Sequence, residues 1–486
     1  MHELVEAGFV RTPPEAQGVA SAAVLDFLNA IEQSGQEVHS FMLVKNGCVV
    51  AEARWSPYGP NIPHTMFSLS KSFASTAVGM AVSEGYFTVE DTVLSFFPDA
   101  APEHVNEHLV AMRVKHLLSM STGHDVKTFP FMYERADGNW ARGFFETPVI
   151  HPPGTHFLYN TGATYMLSEI IQRTTGSKLL DFLRPRLFEP LGIKNPTWQE
   201  SPHGVTLAGI GLSITTEDIA RLGQLYLQKG VWQGKRLLSE AWIEEATSAQ
   251  VSNGDDPKSD WAQGYGYQFW RCQHGFYRGD GAFGQFCIVM EEHDVVLAMT
   301  SAAKDMQVLM NIVWDVLVPG LKAGVSAQDT ASHNLLTEKT ANLGYAPIDG
   351  QAASPTASRV SGKTYLAEPN QSGIERFTLD FTEAGCRLTV KTAQGEAIIS
   401  AGHGKWHSGH TTLFDEMWLT GSQPFVASGA WLAGDRYVMI VRLYETPHIY
   451  TLTYDFEDDR VTVVTQVNVS LEATEPGVIK AIQNKA

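Results

Sequence analysis

The chain has 486 residues, 44% hydrophobic and 18% charged, with 11 Trp, 24 Phe and 15 Tyr. At roughly 150 residues per domain this allows about three domains or two large ones, and it excludes a disordered or fibrous protein. The formal net charge of −18 opposes binding to phosphate backbones or anionic lipid, and no basic patch offsets it, so neither nucleic acid nor membrane is an expected partner.

The N-terminus, Met1-His2-Glu3-Leu4-Val5-Glu6, has no basic region followed by an apolar stretch, so no secretory leader is expected and the expected location is the cytoplasm. No run of about 18 apolar residues is long enough to span a bilayer. Residues 21–33 repeat apolar positions at helical spacing, and Asn46-Gly47 between two apolar runs predicts a hairpin, because both residues tolerate positive φ. Helices are expected at 72–84, 162–175, 178–188, 216–229, 239–248 and 306–318. Strands are expected at Tyr265–Arg271, Gln285–Met290 and Val295–Ser301, with Glu292-His293-Asp294 as a turn. A helix, two strands, a helical stretch, then strands and a helix predict an α+β unit, with an antiparallel sheet fed from both ends of the segment.

The composition shifts after residue 322. Segment 323–360 is rich in Ala, Ser, Thr and Gly, with one helix-like patch at His333–Leu343, and reads as a linker. Beyond it, Arg376–Phe381, Arg387–Lys391, Trp431–Leu432, Tyr437–Tyr444, Ile449–Phe456 and Val461–Val469 alternate apolar and polar residues. Turns are expected at Gly434-Asp435 and Asp458-Asp459. The expected organisation is therefore a first domain over 1–322, a linker over 323–360, and a small all-β barrel or sandwich over 361–486. Cys48, Cys272, Cys287 and Cys386 are too dispersed for a disulfide framework or a zinc cage and read as buried free thiols.

The stretch from Met66 to Phe73 contains Ser68-Leu69-Ser70-Lys71, followed by small and apolar residues on nearly every face, which predicts a buried helix. Ser68 falls at its N-terminus, where free N–H groups favour a developing oxyanion, and Lys71 lies one turn on, on the same face. A desolvated lysine loses its proton more readily and can then deprotonate a neighbouring hydroxyl. Taken alone, S-x-x-K also describes a capping serine followed by a surface lysine.

Two other patterns in the chain compete with this one. Gly279-Asp280-Gly281-Ala282-Phe283-Gly284 satisfies G-x-G-x-x-G, but a strand follows where the dinucleotide fingerprint needs a helix. His104-Val105-Asn106-Glu107-His108 matches the zinc-protease pattern H-x-x-E-H, but Pro98 and Pro102 leave room for only a short helix.

The motif Ser68-Leu69-Ser70-Lys71 resembles the S-x-x-K of the serine β-lactamase and penicillin-binding-protein family, most closely its class C-like branch of esterases, D-amino-acid peptidases and amide hydrolases. Val114–Gly123, Pro153–Gly162, Leu187–Gly192 and Gly209–Asp218 resemble the same family in order and spacing, over residues 10–320. The C-terminal part is similar to the β-rich appendage of some bacterial members. The resemblance implies a β-lactamase-like antiparallel sheet with flanking helices and a helical region, a Ser68 acyl-enzyme, and no metal or organic cofactor. The substrate class implied is a small ester, amide or short peptide.

By the family's second motif, Tyr-x-Asn, Tyr159 relays protons to the leaving group. The third position is Thr161 instead of Asn, with Asn160 one residue early, and both are expected to contact substrate. By the third motif, Arg278 stands at the cation position with Asp280 beside it, both as substrate contacts unless Asp280 simply pairs with Arg278, and the Gly281 amide joins that of Ser68 as the oxyanion hole. The altered second and third motifs leave a non-catalytic penicillin-binding-like or scaffold protein as the alternative reading. Phe129, Phe131, Met132, Tyr133, Trp140, Phe144 and Phe145 are expected either to form an aromatic wall of the cleft or to pack in the core.

Overall fold

The computed structural model describes residues 8–323, 330–414, 421–471 and 474–485. The N-terminal stretch read for a leader, residues 1–6, lies outside them. The chain divides into two compact units. One is Met1–Arg54 with Pro60–Ala341, and the other is Trp55–Gly59 with Asn342–Ala486.

The first unit is built on a seven-stranded sheet of order β1-β3-β2-β7-β6-β5-β4. Its strands are β1 (Val10–Arg11), β2 (Val38–Lys45), β3 (Cys48–Arg54), β4 (Trp270–Arg271), β5 (Tyr277–Gly281), β6 (Gln285–Met290) and β7 (Val295–Ser301). Sequence-distant β2 and β7 pair antiparallel at the centre, with Leu43 opposite Leu297, so both ends of the segment feed one sheet. The hairpin between β2 and β3 turns at Asn46 and Gly47, both at positive φ.

Strands β2, β6 and β7 are buried on both faces, which requires helices on each side. Helix α1 (Ser21–Ser34) covers one face, with Phe27 edge-on to Phe41 at 5.7 Å. Between the sheet's two halves of chain run α2 (Ser70–Ser83), α3 (Thr161–Thr175) and α4 (Thr216–Leu227). Gly223 lets α4 approach the sheet, since a Cβ there would lie 2.5 Å from Val296 and 2.9 Å from Cys287.

In the second unit, strands β8 (Thr364–Ala367), β9 (Ile374–Thr382), β10 (Gly385–Thr392), β11 (Gly395–Gly402), β12 (His407–Thr411), β13 (Gln423–Trp431), β14 (Arg436–Arg442), β15 (Ile449–Glu457), β16 (Arg460–Val467) and β17 (Gly477–Gln483) form one ten-stranded sheet. A pairing of β11 with β13 closes nine of them into a barrel, with β12 appended outside β13. Tyr365, Phe377, Leu388, Trp431, Tyr437 and Phe456 fill its interior by strand alternation. The stretch 323–360 contains α5 (Thr330–Asn342) and α6 (Pro355–Val360). All four cysteines are free thiols, three of them buried and Cys48 half-buried. Among the described residues no helix is long and apolar enough to cross a membrane.

Candidate active site

Ser68 sits in a single 3-10 turn, Phe67–Leu69, that runs straight into α2. Phe67 has φ 45°, a left-handed conformation costly for an aromatic residue, and its ring is anchored edge-on against Phe283 at 5.3 Å. Lys71 is 1% exposed, and its Nζ donates to Ser68 Oγ at 2.9 Å, the Gly209 carbonyl at 2.7 Å and Thr161 Oγ1 at 3.3 Å. An ammonium has three donors, and all three are used. Burial pushes Lys71 down to about 7, opposed by the Asp280 carboxylate and aided by Lys127. The lysine is therefore partly neutral at physiological pH, able to take a proton from the hydroxyl it touches.

Tyr159 completes the cluster. Its phenol lies beside Ser68, its ring centroid lies 5.0 Å from Lys71 Nζ, and Trp270 stacks on it at 5.2 Å. Burial holds the phenol above its ordinary pKa, reinforced by Asp280, so it is a protonated group near neutral pH. Thr161 takes part as an acceptor for Lys71. Asn160 does not reach the cleft. It is buried as the cap of α3, where its Oδ1 accepts from Gly162 N at 3.2 Å, Thr128 N at 3.1 Å and Thr128 Oγ1 at 2.9 Å.

Strand parity decides the third motif. Gly279 and Gly281 face the serine turn. A Cβ on Gly279 would lie 2.5 Å from Leu69 Cδ1 and 2.6 Å from Ser72 Oγ, and one on Gly281 would lie 2.1 Å from the Met66 carbonyl. Arg278 and Asp280 therefore point to the opposite side of the strand. Arg278 is wholly buried, with Nε on Asp280 Oδ2 at 2.9 Å, Nη1 on the Asp260 carbonyl at 2.9 Å, and its guanidinium over Trp261 at 4.6 Å. The expected substrate cation is thus one half of an internal ion pair, not part of the cleft surface. Asp280 still acts on the cluster through its charge, as its effects on Lys71 and Tyr159 record.

Two participants had no place in the motif reading. The Gly209 carbonyl is the shortest Lys71 contact, and a Cβ at Gly209 would lie 2.7 Å from Thr161 Cγ2 and 3.4 Å from Lys71 Nζ. The Gly209-Ile210-Gly211 spacing was the available signal. Trp270, which backs Tyr159, carried none beyond being aromatic. Of the aromatic segment, Phe129, Trp140, Phe144 and Phe145 are buried and packed on one another, while Phe131 and Tyr133 are exposed. His104 is exposed and His108 only half-buried, on either side of the first turn of a short helix, Glu107–Ala111. The G-x-G-x-x-G run is a strand corner in which Gly281 pairs with Gln285.

Residues 18–315, more than half of the chain, match the Beta-lactamase family model. Over 285 residues the chain is 26% identical to the 6-aminohexanoate-dimer hydrolase of Paenarthrobacter ureafaciens, covering 55% of this chain and 73% of that enzyme. A solved structure assigned as a 6-aminohexanoate-dimer hydrolase from Bacillus anthracis is similar with a TM-score of 0.51 and 20% identity, over 68% of this chain and 88% of that one. EstCE1, a hydrolase with promiscuous acyltransferase activity, has a TM-score of 0.51 and 14% identity, over 61% of this chain and 98% of its own. The two structures show a shared fold, and the family match spans the sheet and helices that bring Ser68, Lys71 and Tyr159 together. The chain belongs to the β-lactamase family.

Proposed function

We propose that the protein is a serine hydrolase that cleaves an ester or amide through an acyl-enzyme at Ser68. The observation that carries this reading is the buried Lys71, 2.9 Å from Ser68 Oγ and held near neutral pKa by desolvation. Neutral Lys71 takes the hydroxyl proton as Oγ bonds to the substrate carbonyl carbon. The backbone amides of Ser68 and of the Gly281 corner receive the oxyanion in this mechanism. Tyr159, protonated, gives its proton to the departing alcohol or amine as the C–O or C–N bond breaks, and recovers one from Lys71. Water then repeats the sequence on the acyl-enzyme.

In this reading Arg278 is a positioning residue. Its pairing with Asp280 fixes a buried carboxylate near the cluster, which tempers the loss of the Lys71 proton. The substrate class is a carboxylester, a β-lactam-like amide or a D-amino-acid peptide, and the linear-amide activity named for the Paenarthrobacter relative adds a fourth probe. The test is a panel of p-nitrophenyl esters, a chromogenic cephalosporin, D-amino-acid amides and the 6-aminohexanoate dimer, on wild type and Ser68→Ala. At least one member should be turned over by wild type and lose about 10³-fold or more in kcat/KM in the variant. Equal turnover by both proteins contradicts the proposal.

A further inference from the structure

Two histidines and a carboxylate converge on one point beside the segment that leads into Tyr159. Asp125 Oδ1 lies 3.0 Å from His151 Nε2 and 3.8 Å from His156 Nε2. The two imidazoles lie face to face, centroids 4.2 Å apart with 28° between their planes. All three donor atoms fall within 4.8 Å of one another. Ligand atoms about 2.0–2.1 Å from a tetrahedral or octahedral ion are about 2.9–3.4 Å from each other. One separation is already in that range, the Asp125–His156 pair lies just outside it, and an ion would have to turn the stacked rings so that both nitrogens face it.

The backbone beneath these side chains is held in place. The Gly123 carbonyl accepts from both Ile150 N and His151 N at 2.9 Å, and the Ser121 carbonyl accepts from Gly154 N at 2.7 Å. Gly123 has φ +87°, and a Cβ there would lie 2.2 Å from the His151 carbonyl oxygen, so the two loops are seated directly on each other. The donors therefore come from two clamped loops rather than from free side chains on a mobile tail. Side-chain exposures of 53%, 37% and 38% for Asp125, His151 and His156 leave one side open for water ligands.

We infer that Asp125, His151 and His156 form a binding site for a borderline divalent transition metal ion such as zinc. Two imidazole nitrogens and one carboxylate oxygen suit zinc, cobalt or nickel, whereas magnesium and calcium require oxygen ligands. The net charge of −18 favours a cation at any such site. The ion takes no part in the acyl transfer proposed above, and the inference does not depend on that reading. Its effect is to tie the loop carrying Asp125 and Lys127 to the stretch that ends at Tyr159.

The test uses the full chain, stripped with a chelator, desalted and titrated with zinc chloride by calorimetry near neutral pH. Wild type should bind with micromolar affinity at this site. His151→Ala, His156→Ala and Asp125→Asn should each weaken that binding about tenfold or more. Zinc should raise the melting temperature of wild type and leave that of the double variant His151→Ala/His156→Ala unchanged. Because Asp125 is exposed and the two histidines are only half-buried, the metal-free variants should melt with wild type. Zinc affinity and stoichiometry unaltered in the double variant would overturn the site, as would magnesium binding as tightly as zinc.

Discussion

Two ionisable groups in contact with Ser68 are driven in opposite directions by burial, Lys71 down to about 7 and Tyr159 above its ordinary value. Such a pair separates the roles of base and acid without a metal or a histidine. In the proposed mechanism Lys71 serves as base only when neutral, so kcat/KM on an activated ester should rise with pH through about 7 and level off above it. Lys71→Arg should remove that limb and most of the activity, because a guanidinium does not deprotonate. A profile flat from pH 5 to 9 would count against Lys71 as the base.

Tyr159→Phe should cost about 10²–10⁴-fold on amides, whose leaving amine needs a proton, and less on p-nitrophenyl esters, whose phenolate leaves without one. Equal losses on both would contradict its role as acid. Ser68, Lys71 and Tyr159 were legible as a candidate cluster because each carries its chemistry in a side chain at a recognisable spacing. Arg278 and Asp280 pair with each other, the alternative their adjacency had left open, and strand parity, which spacing alone does not show, turns both side chains away from the serine turn. The Gly209 carbonyl carried a weaker signal than a side chain does, the Gly209-Ile210-Gly211 spacing alone: every residue has a carbonyl, and only the fold says where it points.

At the scale of elements, glycines set how closely backbones meet around the serine. A Cβ at Gly79 of α2 would lie 2.6 Å from the Trp242 ring, so Gly79→Ala should destabilise by about 1–3 kcal/mol, seen as a lower midpoint in urea. Gly209→Ala should act on chemistry more than on stability, because the added methyl pushes on Thr161 and on Lys71 Nζ, both of which hold the base in place. A fall in activity without a matching fall in melting temperature checks this.

The long periodic helices and the Asn46-Gly47 hairpin were legible because local spacing decides them. The expected strand at Tyr265–Arg271 was not: only Trp270–Arg271 is regular, since Gln268 adopts φ 66° and turns its side chain to the Leu117 and Leu118 carbonyls. Strands β8, β11, β12 and β17 also went unread. They are short, polar or edge-like, and their pairing is fixed by distant partners rather than by their own pattern.

At the scale of the molecule, composition allowed about three domains, and the chain divides into two units with different architectures. In the second, β17 joins β8 to β16 and so completes the ring. Deleting 475–486 should leave two open edges and lower the melting temperature of the C-terminal unit, checked by calorimetry of the full-length and shortened chains. An unchanged transition would mean that the ring does not depend on that strand. The acidic balance carries a narrower meaning than it did as a bare number. Within a chain of charge −18 the reactive cluster depends on one buried, uncharged-prone lysine, with the neighbouring arginine already neutralised by Asp280.

The proposed mechanism turns on a covalent bond to one oxygen atom. Intact-mass spectrometry after brief exposure to an activated ester, followed by peptide mapping, reads that bond. A single acyl adduct is expected on the peptide containing Ser68 in wild type and none in Ser68→Ala. An adduct of equal yield in the variant, or one mapped to a different residue in wild type, would contradict it.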